Sequence, residues 1–185
     1  MRSSSLDSQL SGYERAYPGE RAVVERFRTL LGTAPGCFER SCMPGHITAS
    51  AWVLSPDRRS VLLVHHRKMD CWLQPGGHAD GDPCLASVAR RDVAEETGLA
   101  ELDSLGDETS PVPFDLGIHV ILPHGETPEH LHYDVRFAFV ARSWELVPCE
   151  AEIKAARWVG LDDLAPFTEE AEIHRMANKY GSLRA

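Results

Sequence analysis

The segment from residue 77 to residue 99 constrains this chain more than any other. It reads GHADGDPCLASVARRDVAEETGL, so a glycine turn leads into a helix that carries Asp92, Glu95 and Glu96 and ends at Gly98. Side chains at positions i, i+3 and i+4 share one helix face, where like charges repel by about 0.2–0.5 kcal/mol per pair. We interpret the three carboxylates as ligands of a divalent cation, and oxygen ligands favour Mg²⁺ or Mn²⁺ beside substrate phosphates. A solvated acidic face is the alternative.

The same segment resembles the Nudix box, whose pattern is GX5EX7REUXEEXGU with U a bulky aliphatic residue. The positions that match in register are Gly77, Arg91, Val93, Glu95, Glu96, Gly98 and Leu99. Asp92 stands where the family has Glu and keeps the negative charge. Pro83 stands where the first Glu belongs, and Asp82 is the candidate to replace it. A match of this length is far more specific than a lone glycine motif.

This resemblance covers roughly residues 46 to 165 and implies a fold. We expect an α/β protein of the Nudix type, an α/β/α sandwich with a mixed sheet between helices. The predicted domains are an N-terminal helical extension, residues 1–45, and a compact catalytic domain, residues 46–185. The predicted helices are residues 19–31, the box helix and residues 166–180. The predicted strands are residues 46–54, 60–66, 71–74, 113–122, 131–141 and 155–159.

The start of the box helix has its own local signals. Asp82 is a good N-cap residue, and Pro83 suits the first helical position because its missing N–H would be unpaired there. Ala86, Ala89 and Val93 form an apolar stripe that predicts which side of the helix faces a sheet, leaving the carboxylates to point sideways into a cleft.

A second set of polar residues follows the box, in two predicted strands. His130, His132, Asp134 and Arg136 alternate with apolar residues, as Asp115, Gly117 and His119 do in the strand before. Period-2 alternation places each polar set on one face of a sheet. Solvent exposure of that face is the simpler alternative, which we favour for His130 but not for His132 and Asp134 together. That pair could bind a second metal, orient a water molecule or contact a base or sugar.

The resemblance also implies an activity, a metal-dependent pyrophosphohydrolase acting on a nucleoside diphosphate linked to another group. Mg²⁺ or Mn²⁺ would be held by Glu96, Glu95, Asp92 and the carbonyl of Gly76. Glu95 is the first candidate for the general base, and Arg91 would fix the carboxylates. The predicted substrate contacts are His78, His132, Asp134 and Glu152.

Two other functions remain open. The Pro83 departure would suit a nucleotide-binding sensor without turnover. An isopentenyl-diphosphate-type isomerase is less favoured, because that family needs a Cys-Gly-His turn and this chain has Gly76-Gly77-His78.

Composition limits the partners. The net charge of −9 disfavours a nucleic acid polymer, and no apolar run is long enough to cross a membrane. The five cysteines form no Cys-x-x-Cys pair and the N-terminus lacks a signal peptide, so we expect reduced thiols and a cytoplasmic protein. The expected partner is a small phosphoanhydride substrate, and a homodimer is left open.

Overall fold

A computed structural model describes residues 2–108 and 111–184, with the side chains of residues 2–5 left out. Its helices are α1 (Arg2–Ala16), α2 (Arg21–Thr33), α3 (Leu85–Thr97) and α4 (Ala171–Arg184), with a 3-10 turn at Pro18–Glu20. The strands among these residues are β1 (Gly45–Leu54), β2 (Ser60–His66), β3 (Trp72–Leu73), β4 (Gly76–His78), β5 (Leu102–Ser104), β6 (Asp115–Ile121), β7 (His130–Ala141) and β8 (Ile153–Gly160).

These strands belong to a mixed sheet, which helices precede and follow along the chain. The strand pairs β1–β2, β1–β4, β2–β3, β2–β8, β5–β7 and β6–β7 are antiparallel. β1 and β7 run parallel, because the Leu131 N–H donates to the Pro44 carbonyl and the Ser50 hydroxyl donates to Asp134 further along both strands. The predicted α/β class with N-terminal helices is therefore confirmed.

The chain divides into two compact units. The first comprises Met1–Ser50, Gly76–Ala89 and Gly106–Phe137, and the second comprises Ala51–Pro75, Arg90–Leu105 and Ala138–Ala185. β1, α3 and β7 each continue from one unit into the other. The boundary that the sequence predicts at residue 46 stays a prediction.

In the first unit, the N-terminal helices contribute directly to the core. Leu6, Leu10 and Tyr13 of α1 are fully or almost fully buried at helical spacing. Phe27 of α2 contacts Tyr133 of β7 edge to face, with ring centroids 5.2 Å apart. Such an aromatic pair adds about 0.5–1.5 kcal/mol beyond the area that it buries.

In the second unit, β2 pairs with β8 along its whole length, from Ser60 opposite Gly160 to His66 opposite Ile153. Its buried residues Val61, Leu62, Leu63 and Val64 form a continuous apolar run. Trp72 and Trp158 are half-exposed, and the fully buried tryptophan is Trp52.

Candidate functional site

The helix that carries the predicted ligands begins later than the sequence indicates. α3 starts at Leu85, and the carbonyl of Cys84 accepts the first helical N–H from Val88. Asp82 is therefore not the N-cap and Pro83 is not the first helical residue. Asp82 Oδ1 instead accepts the N–H of Cys84 at 2.8 Å and closes the turn in front of the helix. This hydrogen bond forms an Asx turn before the helix and does not cap its N-terminus.

The three carboxylates of α3 do not share one environment. Asp92 and Glu96 are each 7% exposed and continue the buried row that begins with Leu85 and Val88. Glu95 lies on the outer side, with 58% of its side chain exposed. Residues at these spacings stay on one side of the helix, but only Asp92 and Glu96 are buried there. Four-residue spacing keeps Asp92 and Glu96 aligned, while Glu95 is rotated by one residue from Glu96.

The carboxylate of Asp92 is perturbed by its burial. Its Oδ1 accepts hydrogen bonds from Arg91 Nε at 3.0 Å and lies 2.9 Å from Arg91 Nη2. Its Oδ2 is buried and has no hydrogen-bond partner among the described residues. Burial raises the pKa of Asp92 to about 6, against the attraction of Arg91, and the negative charges of Glu95 and Glu152 raise it further.

Arg91 occupies the position that the sequence assigned to it. Besides its contacts with Asp92, its Nε lies 4.0 Å from Glu95 Oε2. The guanidinium thus fixes one oxygen of Asp92 and leaves the other facing inward. Glu152 is exposed, and its charge acts on Asp92. The second unit therefore brings Arg91, Asp92, Glu95, Glu96 and Glu152 into one electrostatic cluster.

Gly76, the predicted carbonyl ligand, lies in β4 of the first unit opposite Ser50 of β1. A Cβ at this position would lie 2.5 Å from Ser50 Cβ and 2.6 Å from the Ala49 carbonyl oxygen. Real Cβ contacts do not occur at such distances, so the close approach of the two strands requires glycine here. Its role as a metal ligand stays a prediction.

The polar face of β7 is buried, which makes solvent exposure wrong for His130. His130 is 7% exposed, Asp134 is 5% exposed and Arg136 is fully buried, while His132 is half-buried. The register places His119 opposite His132, Gly117 opposite Asp134 and Asp115 opposite Arg136. Alternation therefore predicted the common face correctly but not its burial.

A closed ion network occupies the middle of this face. Arg136 donates from Nε to Asp134 and from Nη1 to Asp115, both at 2.8 Å, and its Nη2 lies 2.7 Å from His119 Nε2. Thr48 and Ser50 of β1 donate to the two oxygens of Asp134 at 3.1 and 2.7 Å.

The charge state of Asp134 follows from this network. Burial raises its pKa, but Arg136 and the Ser50 hydroxyl outweigh that effect, and the pKa lies below its usual range. Both of its oxygens accept hydrogen bonds within the protein, so the geometry favours a structural role. Direct substrate binding by Asp134 stays a prediction.

Four imidazoles meet at the start of β1 and β7. The ring centroids of His46 lie 5.2 Å from His78, 5.0 Å from His130 and 4.8 Å from His132. Burial lowers the pKa of His78 to about 4 and that of His132 to about 3, and the other imidazoles add to both effects. A pKa of about 3 makes His132 a weak base, which does not favour it as the general base of the reaction.

Sequence reasoning missed the place of His46 in this cluster, although the signal was present. His46, Thr48 and Ser50 alternate with Ile47, Ala49 and Ala51, as the polar residues of β7 alternate with apolar ones. Residues at i, i+2 and i+4 of a strand share a face. The same rule that grouped His132 with Asp134 would have grouped His46 with the two hydroxyls that bind Asp134.

The donor sets of the two clusters suit different cations. Asp92 and Glu96 offer carboxylate oxygens, which fit Mg²⁺ or Mn²⁺, and the unpartnered Oδ2 of Asp92 is the kind of buried acceptor that a cation satisfies. The imidazoles offer nitrogen, which Mg²⁺ does not favour.

No helix among the described residues is long and apolar enough to span a membrane.

Comparison with solved structures shows the same fold in Nudix proteins. A hydrolase of the NUDIX family from Clostridium perfringens is similar with a TM-score of 0.55 and 22% identity, over 75% of this chain and 97% of that one. The E. coli dihydroneopterin triphosphate pyrophosphohydrolase gives 0.55 and 15%, over 72% and 93%. The NUDIX domain of Shewanella oneidensis NrtR, solved with ADP ribose, gives 0.53 and 16%, over 75% and 88%.

A comparison with curated protein sequences found no match. The family model of the NUDIX domain matches residues 44–180, which is well over half of the sequence. This span contains the box, the ion network and the imidazole cluster. The chain belongs to the Nudix family.

Proposed function

We propose that the protein is a metal-dependent pyrophosphohydrolase that cleaves the diphosphate bond of a nucleoside diphosphate linked to another group. The observation that carries the proposal is the state of Asp92 on α3. Its Oδ2 is buried without a hydrogen-bond donor, and its pKa is raised to about 6. An unsatisfied buried carboxylate is costly, and a divalent cation would remove that cost.

Asp92 and Glu96 would hold the ion, because both are buried on the same row of α3. Bound Mg²⁺ or Mn²⁺ supplies charge neutralisation for the diphosphate and a lower pKa for a water nucleophile. Arg91 acts as a positioning residue, since it fixes Oδ1 of Asp92.

Glu95 is our candidate for the general base. Its carboxylate is exposed, so water and substrate can reach it, and it lies on the same helix turn as Glu96. A general base must lie within hydrogen-bond reach of the proton that it accepts. His78 and Glu152 remain the proposed substrate contacts.

A hydrolysis panel with Mg²⁺ tests the proposal. ADP-ribose represents linked nucleoside diphosphates, and dihydroneopterin triphosphate represents compounds without that linkage. We expect release of AMP from ADP-ribose, or of the corresponding nucleoside monophosphate from another linked nucleoside diphosphate. Glu96→Gln should lose at least about 10²-fold in turnover, as is usual for groups that stabilise charge. Asp103→Asn, an exposed carboxylate on β5, is the matched control. Near-normal turnover in Glu96→Gln at saturating Mg²⁺ would contradict the assignment.

The sensor without turnover is the alternative, and the position of Pro83 favours it. The residue that replaces the family's first Glu has no carboxylate, and Asp82 already uses one oxygen to close its turn. Binding of ADP-ribose with no product from any member of the panel would support the sensor. Turnover in the wild type that disappears in Glu96→Gln would exclude it.

A further inference from the structure

Three of the four clustered histidines present ligand atoms to a common point. Their candidate ligand nitrogens, one each from His46, His130 and His132, all lie within 4.8 Å of one another. His46 is 1% exposed and His130 is 7% exposed, so two of these rings are removed from water. The three residues come from neighbouring parallel strands, and His130 and His132 share one face of β7.

Backbone carbonyls determine which nitrogens are available. His46 Nδ1 lies 3.2 Å from the Cys42 carbonyl oxygen, and His130 Nδ1 lies 2.9 Å from that of Pro128. A carbonyl oxygen only accepts hydrogen bonds, so Nδ1 carries the hydrogen in both rings. When such a ring is neutral, its Nε2 carries a lone pair and no hydrogen. Metal-binding histidines use the same arrangement, in which the other nitrogen donates to a carbonyl.

One of the resulting lone pairs has no partner among the described residues, and the other faces a third imidazole. His46 Nε2 is buried with no hydrogen-bond partner among the described residues. His130 Nε2 lies 3.2 Å from His132 Nε2. Two nitrogens bound to one tetrahedral zinc ion, each at about 2.0–2.1 Å, are about 3.3 Å apart. The observed separation is thus the one that a shared ion would impose.

We propose that His46, His130 and His132 form a metal site for Zn²⁺ or a similar transition metal ion, separate from the carboxylates of α3. Three nitrogen ligands with a water molecule or His78 in the fourth position match the preferences of Zn²⁺, whereas Mg²⁺ prefers oxygen. The ion would tie the start of β1 to the start of β7. His132 then binds the metal and does not contact the substrate directly.

The surroundings support this assignment. Arg40, whose charge acts on His46, is paired with Asp80, with Nε 2.6 Å from Oδ1. The positive charge that would repel a metal ion is therefore largely compensated.

The competing explanation is a metal-free imidazole cluster. In that case His132 Nε2 carries a hydrogen and donates it to His130 Nε2, and His46 Nε2 stays unsatisfied. Such a cluster has no affinity for a metal ion beyond that of surface histidines. The two explanations differ in one observable, specific binding of one transition metal ion by these nitrogens.

Titration of the chelator-treated full chain with Co²⁺, in saturating Mg²⁺ to fill oxygen sites, tests the proposal. Tetrahedral Co²⁺ with nitrogen ligands gives intense visible bands, whereas octahedral oxygen sites give weak ones. We expect one intense site per chain, displaced stoichiometrically by Zn²⁺. His46→Gln and the half-buried His132→Gln should each weaken binding at least about tenfold, the lower range for losses around metal sites.

Matched variants separate this site from the others. His174→Gln in α4, where His174 Nε2 lies 2.9 Å from the Thr168 carbonyl oxygen, should leave the bands unchanged. Glu96→Gln should also leave the bands unchanged, so this test of the metal site is independent of the proposed hydrolase activity. Circular dichroism verifies folding of each variant. Absence of intense bands, or bands that persist in both His46→Gln and His132→Gln, would overturn the proposal.

Discussion

Asp92 shows what burial does to a carboxylate of the box. The family has Glu at this position, and Asp92 keeps the negative charge on a residue that is 7% exposed. Arg91 satisfies one oxygen and nothing among the described residues satisfies the other. The result is a carboxylate that is costly to ionise unless a cation is present.

The cost of ionising Asp92 predicts how the stability of Asp92→Asn, relative to wild type, depends on pH. The folded pKa of about 6 lies above the ordinary 3.8, so between these values the folded state binds the extra proton. The contribution of Asp92 to stability is therefore present below pH 3.8 and lost as pH rises through 6. One pKa unit corresponds to about 1.4 kcal/mol. Without metal, we expect Asp92→Asn to be more stable than wild type above pH 7, by up to about 3 kcal/mol.

Urea unfolding in a chelator at several pH values measures this difference, with the exposed Glu95→Gln as control. The advantage of Asp92→Asn should close toward pH 4, where Asp92 is protonated in both states. It should also shrink when Mg²⁺ is added at pH 8, because only the wild-type carboxylate can gain from the ion. A variant that is less stable than wild type at pH 8 in chelator would refute this account of Asp92.

At the scale of elements, the turn before α3 has a local Asx turn where the family has a carboxylate. Asp82 Oδ1 accepts the Cys84 N–H, and Asn offers the same acceptor without the charge. Asp82→Asn should therefore change the melting temperature little. If Asp82 also replaces the missing Glu, hydrolysis should fall by about 10–100-fold.

Steady-state kinetics of Asp82→Asn decide whether Asp82 only closes the turn or also replaces the missing Glu. Asp82→Ala, which also removes the hydrogen bond to the Cys84 N–H, is the comparison for stability. Full activity in Asp82→Asn would show that Asp82 only closes the turn and that this chain does without the first Glu.

The strands carry a buried polar layer, and Arg136 is its centre. Gly117 leaves room for its guanidinium, because a Cβ there would lie 2.4 Å from Arg136 Nη2. Arg136→Met would leave Asp115 and Asp134 buried without their cation. We expect this change to lower the free energy of unfolding by about 3–5 kcal/mol, which is typical when one partner of a buried ion pair is removed. Arg142→Met is the control, since its partner Asp103 is exposed and screened by water.

Chemical denaturation of the two variants compares the buried and the exposed ion pair. We expect a much lower unfolding midpoint for Arg136→Met and a midpoint near that of wild type for Arg142→Met. Equal midpoints for Arg136→Met and wild type would show that the network contributes nothing net to stability.

Over the whole molecule, local patterns were predictable and long-range pairings were not. The bounds of β2 follow from neighbouring residues, and their prediction is correct to the residue. α1 was not predicted as an element, although Leu6, Leu10 and Tyr13 have helical spacing, because the serines around them weaken the pattern. The burial of Arg136 could not be predicted, since one of its partners lies 21 residues away and across a strand pair.

The same distinction applies to the candidate site. The identities of Arg91, Asp92 and Glu96 came from a local motif, whereas the outward position of Glu95 depends on which side of α3 is packed. β5 has three residues, too few for a periodic signal. His46 required a comparison between strands that are far apart in sequence, and such a comparison is informative only after their pairing is known.

The response of the metal-free protein to acid is a property of the whole chain. Burial lowers the pKa of His46, His66, His78 and His132, the last two to about 4 and about 3. Each folded imidazole stays neutral at a pH where its unfolded counterpart, with a pKa near 6.5, takes up a proton. Their contribution to stability is thus present above pH 6.5 and lost as pH falls toward the folded values. Asp92 acts in the opposite direction.

At pH 5, His78 and His132 each give an uptake of nearly one proton on unfolding, and Asp92 gives a release of nearly one. Partial uptake by His46 and His66 adds to the balance, so unfolding takes up at least about one net proton. The free energy of unfolding should then fall by about 1.4 kcal/mol or more per pH unit as pH decreases from about 6 to about 4.5. Chelator-treated protein, unfolded in urea at constant ionic strength, measures this slope. His132→Gln should reduce the slope by the equivalent of about one proton, and Asp92→Asn should increase it by about the same amount. A flat or reversed slope in the wild type would show that these imidazoles are not held neutral in the fold.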